Sequence, residues 1–200
     1  KHCGGIIANF SRLVVDIERF KDDKNENMAK VGMGALYTKS ESGKTIRHLT
    51  ATVRDHCLDA LYRPYHKAFN QLVQRCLDKF GRCLILDCHT FPSIARRFET
   101  DKKPNRPDIC LGSDSFHTPI DILENLKNNF SRKFIIGINR PFAGTIVPLE
   151  YYRRNKSVRS IMIEVNRKLY MNEKTFYKTV DFKKNATIVC ETITDSLKDA

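Results

Sequence analysis

No run of the ~18 to 20 apolar residues needed to span a bilayer occurs in this sequence. The opening Lys1-His2-Cys3-Gly4-Gly5 lacks both an apolar signal core and an initiator Met. We therefore expect a soluble chain with no membrane partner, and one that is a fragment or processed product of something longer. The seven cysteines, at 3, 57, 76, 83, 88, 110 and 190, are odd in number and contain no CxxC pair. That pattern excludes a cysteine zinc knuckle and argues for reduced thiols in a cytoplasm-like compartment. There is no internal repeat and no low-complexity segment. Acidic residues are in the minority, 23 against 35 Lys plus Arg, giving a net charge of +12 and a pI near 9.5. That balance brings an anionic partner into consideration, and charge alone leaves open a nucleic acid, a membrane surface or a small carboxylate. Basic residues are not interleaved with aromatics on a recognisable module, so nucleic acid is not the expected partner.

What is present is a chain of 200 residues, 41% of them hydrophobic, long enough for one domain with a core. Residues 6 to 19, IIANFSRLVVDIER, alternate Leu13, Val15 and Ile17 with Val14, Asp16 and Glu18, which predicts a strand. Residues 20 to 34 are polar and read as loop, and KSESGKT, 39 to 45, suits a hairpin turn or mobile loop between ALYT and IRHLT. From Ala51 the period becomes helical, through Val53, Cys57 and Leu61, with Pro64 as a break or new first turn. A second helix runs to about Phe80 on the stripe Tyr65, Phe69, Leu72, Val73, Cys76, Leu77 and Phe80, and Gly81 stops it.

CLILD, from Cys83, then reads as a central strand. DICLGSD (108 to 114), FIIGINR (134 to 140) and SIMIEVNR (160 to 167) read as further strands. Thr118 as N-cap and Pro119 at the first helical position start a helix carrying Ile122, Leu123, Leu126 and Phe130, and 185 to 199 forms a terminal helix. Strands alternating with helices predict an α/β sandwich.

In open α/β sheets, ligands gather at the carboxyl ends of strands. Reactive side chains cluster at four such ends here: Arg12 to Arg19, Asp87-Cys88-His89, Asn139-Arg140 and Glu164 to Arg167. His89 suits a metal ligand, a general base or a loop cap, with Asp87 as its orienter. Cys88 reads as a buried, inert thiol rather than a nucleophile. Glu164 lies within the apolar IMIEV, where an uncompensated carboxylate costs several kcal/mol, roughly. It is therefore paired, with Arg167 or another arginine, or bound to metal, or kept as a base. Arg12, Arg19, Arg140 and Arg167 suit either surface ion pairs or bidentate capture of a carboxylate. RRF at 96 and KSVR at 156 read as solvated basic faces.

Six stretches, in order, resemble the N-formylglutamate amidohydrolase family: ANFSRLVVDIERF (8 to 20), YRPYHKAF (62 to 69), LILDCHTFP (84 to 92), RPDICLGSD (106 to 114), INRPFAGTIVP (138 to 148) and IMIEVNRKLYMNE (161 to 173). The resemblance implies an α/β three-layer sandwich, a mixed central sheet flanked by helices as in the zinc peptidases and the phosphorylase/hydrolase-like folds. It implies a single amidohydrolase domain that hydrolyses an N-acyl amide with zinc, converting N-formyl-L-glutamate and water into formate and L-glutamate. His89 would be a zinc ligand and Glu164 the base that activates the zinc-bound water. Arg12 and Arg19 would bind the carboxylates of a small anionic N-acyl amino acid, and Asn139 and Arg140 would line the pocket. A carboxypeptidase-like amidase on another peptide-like substrate is the alternative enzyme. A non-catalytic basic protein holding an anionic partner is the alternative outside enzymes.

Two departures from the family pattern stand out. Glu18 occupies the place of asparagine in the family's VDLNR, where it would repel an anionic substrate or change its identity. The PHSG-like segment and the histidine and acidic motif expected to supply the other zinc ligands are absent from this sequence, and His2, the sole histidine before His48, lacks their context.

Overall fold

The computed structural model describes residues 4 to 198, so His2 and Cys3 lie outside the described residues. The chain divides into two compact units, 1 to 81 and 82 to 200.

In the first unit, α1 (Ala51–Cys57) passes through a π-helical turn (Leu58–Tyr62) into α2 (Arg63–Phe80). The Thr50 side chain starts the run by accepting from the Val53 amide at 3.2 Å. Of the two expectations for Pro64, the new first turn is what forms: Pro64 lies in the first turn of α2, and the helical run is not broken there. Proline offers no N–H and its ring crowds the carbonyl four residues back, and the wide turn immediately before it, closed by the Arg63 amide on Leu58 O, makes that room. Phe69 and Val73 are the buried members of the predicted stripe, and Gly81 ends the helix in the left-handed conformation at φ 69°. Val15, Ala35, Leu36, Leu58 and Tyr62 form the core of this unit.

The strand predicted over residues 6 to 19 is absent, and this expectation is corrected. Leu13 and Val14 are exposed, whereas Val15, Asp16 and Ile17 are buried in succession, which a two-residue alternation cannot produce. A turn closes from the Val14 amide onto Ser11 O at 2.8 Å, and the Asp16 amide bonds Ala35 O at 2.7 Å. The polar stretch that follows contains two short 3-10 turns, Asp23–Asn25 and Asn27–Val31. KSESGKT forms the expected turn, reduced to a single bridge between Lys39 and Thr45.

The second unit contains β1 (Cys83–Phe91), β2 (Ile109–Gly112), α3 (Ile120–Phe130), β3 (Ile136–Ile138), β4 (Val158–Asn166) and α4 (Phe182–Ser196). The sheet has the order β1-β4-β2-β3. β1 and β4 are parallel, β2 and β3 are parallel, and β2 runs antiparallel to β4, so the sheet is mixed. Ile109, Leu111, Ile161 and Ile163 pack with Ile122, Leu123, Leu126 and Phe130 of α3, joined by Leu84, Leu86, Val189 and Ile193. Each such side chain contributes roughly 1.5–3 kcal/mol on burial.

The start of α3 is also corrected. Its cap is Pro119 rather than Thr118, because the Thr118 hydroxyl donates to Ser160 O at 2.7 Å and accepts from the Asp114 amide at 2.9 Å. No helix among the described residues is long and apolar enough to cross a membrane.

Candidate active site

The parity of the strands decides which side chains meet. Leu84 and Leu86 of β1, Ile161 and Ile163 of β4, and Ile109 and Leu111 of β2 all face α3 and α4. Their alternates, Asp87, His89, Glu164 and Cys110, therefore project from the opposite face. In register, His89 pairs with Glu164 across β1 and β4, and Glu164 pairs with Cys110 across β4 and β2. An imidazole, a carboxylate and a thiol thus lie in a row on adjacent strands, with strands ~4.8 Å apart.

Asp87 and His89, two residues apart, share this face. His89 Nε2 lies 2.6 Å from Asp87 Oδ1. The other carboxylate oxygen, Oδ2, accepts the Ile146 amide at 3.0 Å. Both oxygens of Asp87 are thus committed, one to the imidazole and one to the backbone. The carboxylate accepts Nε2–H, the kind of contact that orients a metal-ligating imidazole.

The segment from Phe142 to Ile146 runs across the same face. Cys110 Sγ donates to Phe142 O at 3.3 Å, and Ser160 Oγ lies 2.6 Å from Thr145 Oγ1 and donates to Ile146 O at 2.8 Å. Gly112 permits this approach, since a Cβ there would collide with Gly144 O and Met162. Burial pushes the Cys110 thiol pKa up, so this sulfur is a neutral donor rather than a nucleophile. Cys88, expected to be buried, is exposed because it projects from the other face near the strand's end. All six described cysteines are free of disulfides.

Glu164 is only 8% exposed. Arg167 is not its partner; its guanidinium reaches Thr90 instead, with Nε 3.4 Å from Oγ1. Arg106, which the sequence reading did not single out, is buried in the same unit. Its Nη2 lies 2.6 Å from Glu99 Oε2, and the guanidinium lies 5.0 Å from the Phe91 ring and 5.5 Å from that of Phe142. The RP dipeptide ahead of β2 was its one visible signal.

Asn139 and Arg140 follow β3, which runs opposite to β1 and β4, so they are not at the carboxyl edge those two strands share. Asn139 is tied to Ser113 by two hydrogen bonds of 2.8 and 2.9 Å. Arg140 Nε pairs with Asp101 at 2.7 Å. Within this unit, then, the strand ends that meet are those of β1 and β4, and the end of β3 is not among them. KSVR contributes Lys156 and Arg159 to an open cleft of about 470 Å³, also lined by Phe116, Thr118 and Arg153, at the start of β4 and so away from Glu164.

In the first unit, Arg12 and Arg19 come together on one buried carboxylate. Asp16 Oδ2 lies 3.3 Å from Arg12 Nε and 3.6 Å from Arg19 Nε, and accepts the Tyr37 hydroxyl at 2.9 Å. The Glu18 amide donates to Asp16 Oδ1 at 3.1 Å, and Glu18 Oε2 lies 3.0 Å from Arg12 Nη2. Burial opposes the Arg12 charge, yet the charges of Asp16, Tyr37 and Glu18 outweigh it and raise the guanidinium pKa.

Comparison with known proteins extends these observations. A solved N-formylglutamate amidohydrolase from Ralstonia eutropha JMP134 superposes with a TM-score of 0.80 at 20% identity, over 94% of this chain and 74% of that one. A gene product of Agrobacterium tumefaciens superposes with a TM-score of 0.68 at 18% identity, over 94% and 68% of the two chains. At these identities the likeness is one of fold. An N-formylglutamate deformylase of Pseudomonas putida is 25% identical over 174 residues, 84% of this chain, and the chain spans 64% of that relative's length. The N-formylglutamate amidohydrolase family profile matches residues 1 to 171, and the chain belongs to that family.

Proposed function

We propose that this chain hydrolyses the amide of N-formyl amino acids, with N-formylglutamate the reference substrate, releasing formate and the free amino acid. The observation that carries this reading is the pairing of His89 with Glu164 on one face of the sheet, with Asp87 holding the imidazole. In this reading Glu164 removes a proton from the attacking water. The water oxygen bonds the formyl carbon, the C–N bond breaks, and the proton passes to the departing amine. Asp87 orients His89, and the Phe142–Ile146 segment screens the site from bulk water.

The donor set in this unit fits zinc in kind: a neutral imidazole held by a carboxylate is a common zinc ligand. His89 would hold the ion, which when bound acts as a Lewis acid on the substrate carbonyl. Catalytic zinc normally takes three protein ligands, so His89 needs companions. Arg12 and Arg19 would receive carboxylate. The zinc-peptidase-like three-layer sandwich and a cytoplasmic location belong to the same proposal.

The test is zinc analysis of the purified protein together with release of formate from N-formylglutamate, in wild type and His89→Ala. Loss of both bound zinc and formate release in the variant is expected. Undiminished formate release by His89→Ala would sink the reading.

A further inference from the structure

The loop that leads into β4 and the start of that strand carry three cations, Arg153, Lys156 and Arg159. With Phe116, His117 and Thr118 they line the open cleft of about 470 Å³, a volume in the range of small-ligand sites, and no Asp or Glu lines it. The loop is built on His117, which is 1% exposed. Its Nε2 accepts the Arg153 amide at 2.8 Å, and because an amide only donates, this nitrogen carries no proton. Val158 O, 2.7 Å from Nδ1, only accepts, so the proton sits on Nδ1 and the buried imidazole is neutral. Tyr152 stacks on the same ring at 5.7 Å, and Arg153 is held in the left-handed conformation at φ 54°, which a non-glycine residue adopts only where its surroundings fix it.

The cations are positioned chiefly by groups that do not neutralise them. Lys156 Nζ lies 5.5 Å over the Phe116 ring, and the Arg153 guanidinium 5.6 Å over that of Tyr152. Arg153 reaches one carboxylate oxygen, Asp114 Oδ2, at 3.6 Å, while Asp114 Oδ1 accepts the Phe116 and His117 amides at 2.9 and 3.1 Å. Lys156 and Arg159 make no ion pair among the described residues. Three cations thus face a single carboxylate. A solvated basic face accounts for Lys156, which is exposed, but not for Arg159, which is half-buried on the face of β4 that carries Ile161 and Ile163. A guanidinium partly withdrawn from water without a counter-charge is costly, and an anion in the cleft removes that cost.

We propose that this cleft binds a small phosphorylated ligand, a phosphomonoester or a diphosphate, at a site separate from the catalytic face. A phosphoryl group brings roughly two negative charges and three acceptor oxygens at neutral pH, and so takes donors from a guanidinium and an ammonium at once. Arg159 precedes Glu164 by five residues on β4, about 16 Å at ~3.3 Å per residue, and projects from the opposite face. The ligand therefore does not reach His89 or Glu164, and its binding is measured without turnover.

Pyrophosphate and adenosine monophosphate are the probes, titrated calorimetrically into the whole protein at fixed ionic strength, with succinate as a dianion without phosphorus. Wild type should bind at least one phosphorylated probe saturably, and succinate more weakly by about tenfold. Lys156→Gln with Arg159→Gln should weaken that binding by about tenfold or more. Lys183→Gln with Lys184→Gln removes the same charge from exposed positions on α4 and should leave it within about twofold. If the cleft pair lowers the thermal midpoint, Arg153→Gln with Lys156→Gln, both on the exposed loop, takes its place, and a loss of about tenfold is again expected. Absence of saturable binding by wild type up to about 10 mM would overturn the proposal, as would equal weakening in the cleft and α4 pairs or equal binding of succinate. Binding unchanged in the cleft variants would overturn it too, since the probe then sits elsewhere, a metal ion included. An oligonucleotide that binds through Lys156 and Arg159 while neither small probe binds would replace the proposal with a polymeric partner.

Discussion

His89 on β1 stands directly opposite Glu164 on β4, and the two project from the same face of the sheet. Parallel pairing aligns their strand ends, and strand parity turns both away from α3. A carboxylate 8% exposed beside an imidazole has the position, and the shelter from water, that a general base requires.

Glu164→Gln preserves shape and hydrogen-bonding capacity but removes the basic oxygen. It is expected to lower kcat for N-formylglutamate by about 10² to 10⁴, with KM changed little and thermal midpoint preserved. Turnover within about tenfold of wild type would remove Glu164 from the role of base.

Asp87 bonds His89 with one oxygen and the Ile146 amide with the other. Asp87→Asn is expected to weaken zinc binding by about 10- to 100-fold, measured by competition with a chelator. Asp87→Ala should also speed hydrogen exchange at the Ile146 amide, since that donor loses its acceptor. Unchanged zinc affinity in both variants would mean that the imidazole does not depend on this carboxylate.

Stability should fall on both sides of neutrality for reasons located in the first unit. Burial, reinforced by Asp16, pushes the Tyr37 phenol up to about 12, and burial likewise raises Tyr62 to about 12. Unfolded tyrosine ionises near ~10, so in the window between ~10 and the folded values the unfolded state binds fewer protons and stability declines as pH rises. Burial lowers the His66 pKa despite its contact with Ile17 O at 2.9 Å. The folded state resists that proton, so stability present above ~6.5 is lost as pH falls below it. Thermal melts from pH 5 to 12 should show both limbs, and Tyr37→Phe should flatten the alkaline one. An alkaline limb identical in Tyr37→Phe would show that Tyr37 does not contribute to it.

How much of this was legible in the chain differs from element to element. β1, β2, β4, α2 and α4 were readable because each buries a face with its own period, and Gly81 marks its helix end unambiguously. Residues 6 to 19 were misread as a strand because their alternation of types does not correspond to alternation of burial. Asp16 is buried between Val15 and Ile17 because two arginines and Tyr37 compensate its charge, and such partners, up to 21 residues away in the chain, leave no local signal. Thr118 was misread as the cap because Ser160 O claims its hydroxyl.

The sequence by itself determined the family, through six ordered motifs, together with the α/β alternation and the candidacy of His89 and Glu164. Only the tertiary structure decided which of the candidates meet. Pairing and direction of strands are non-local: β4 inserts between β1 and β2, parallel to one and antiparallel to the other. That arrangement brings Glu164 to His89, leaves Asn139 and Arg140 on a strand running the other way, and allows Asp87 to hold both the imidazole and the segment above it. The same kind of long-range compensation gathers Arg12, Arg19 and Glu18 on the buried Asp16, because a carboxylate can leave water only where donors from several turns converge on it.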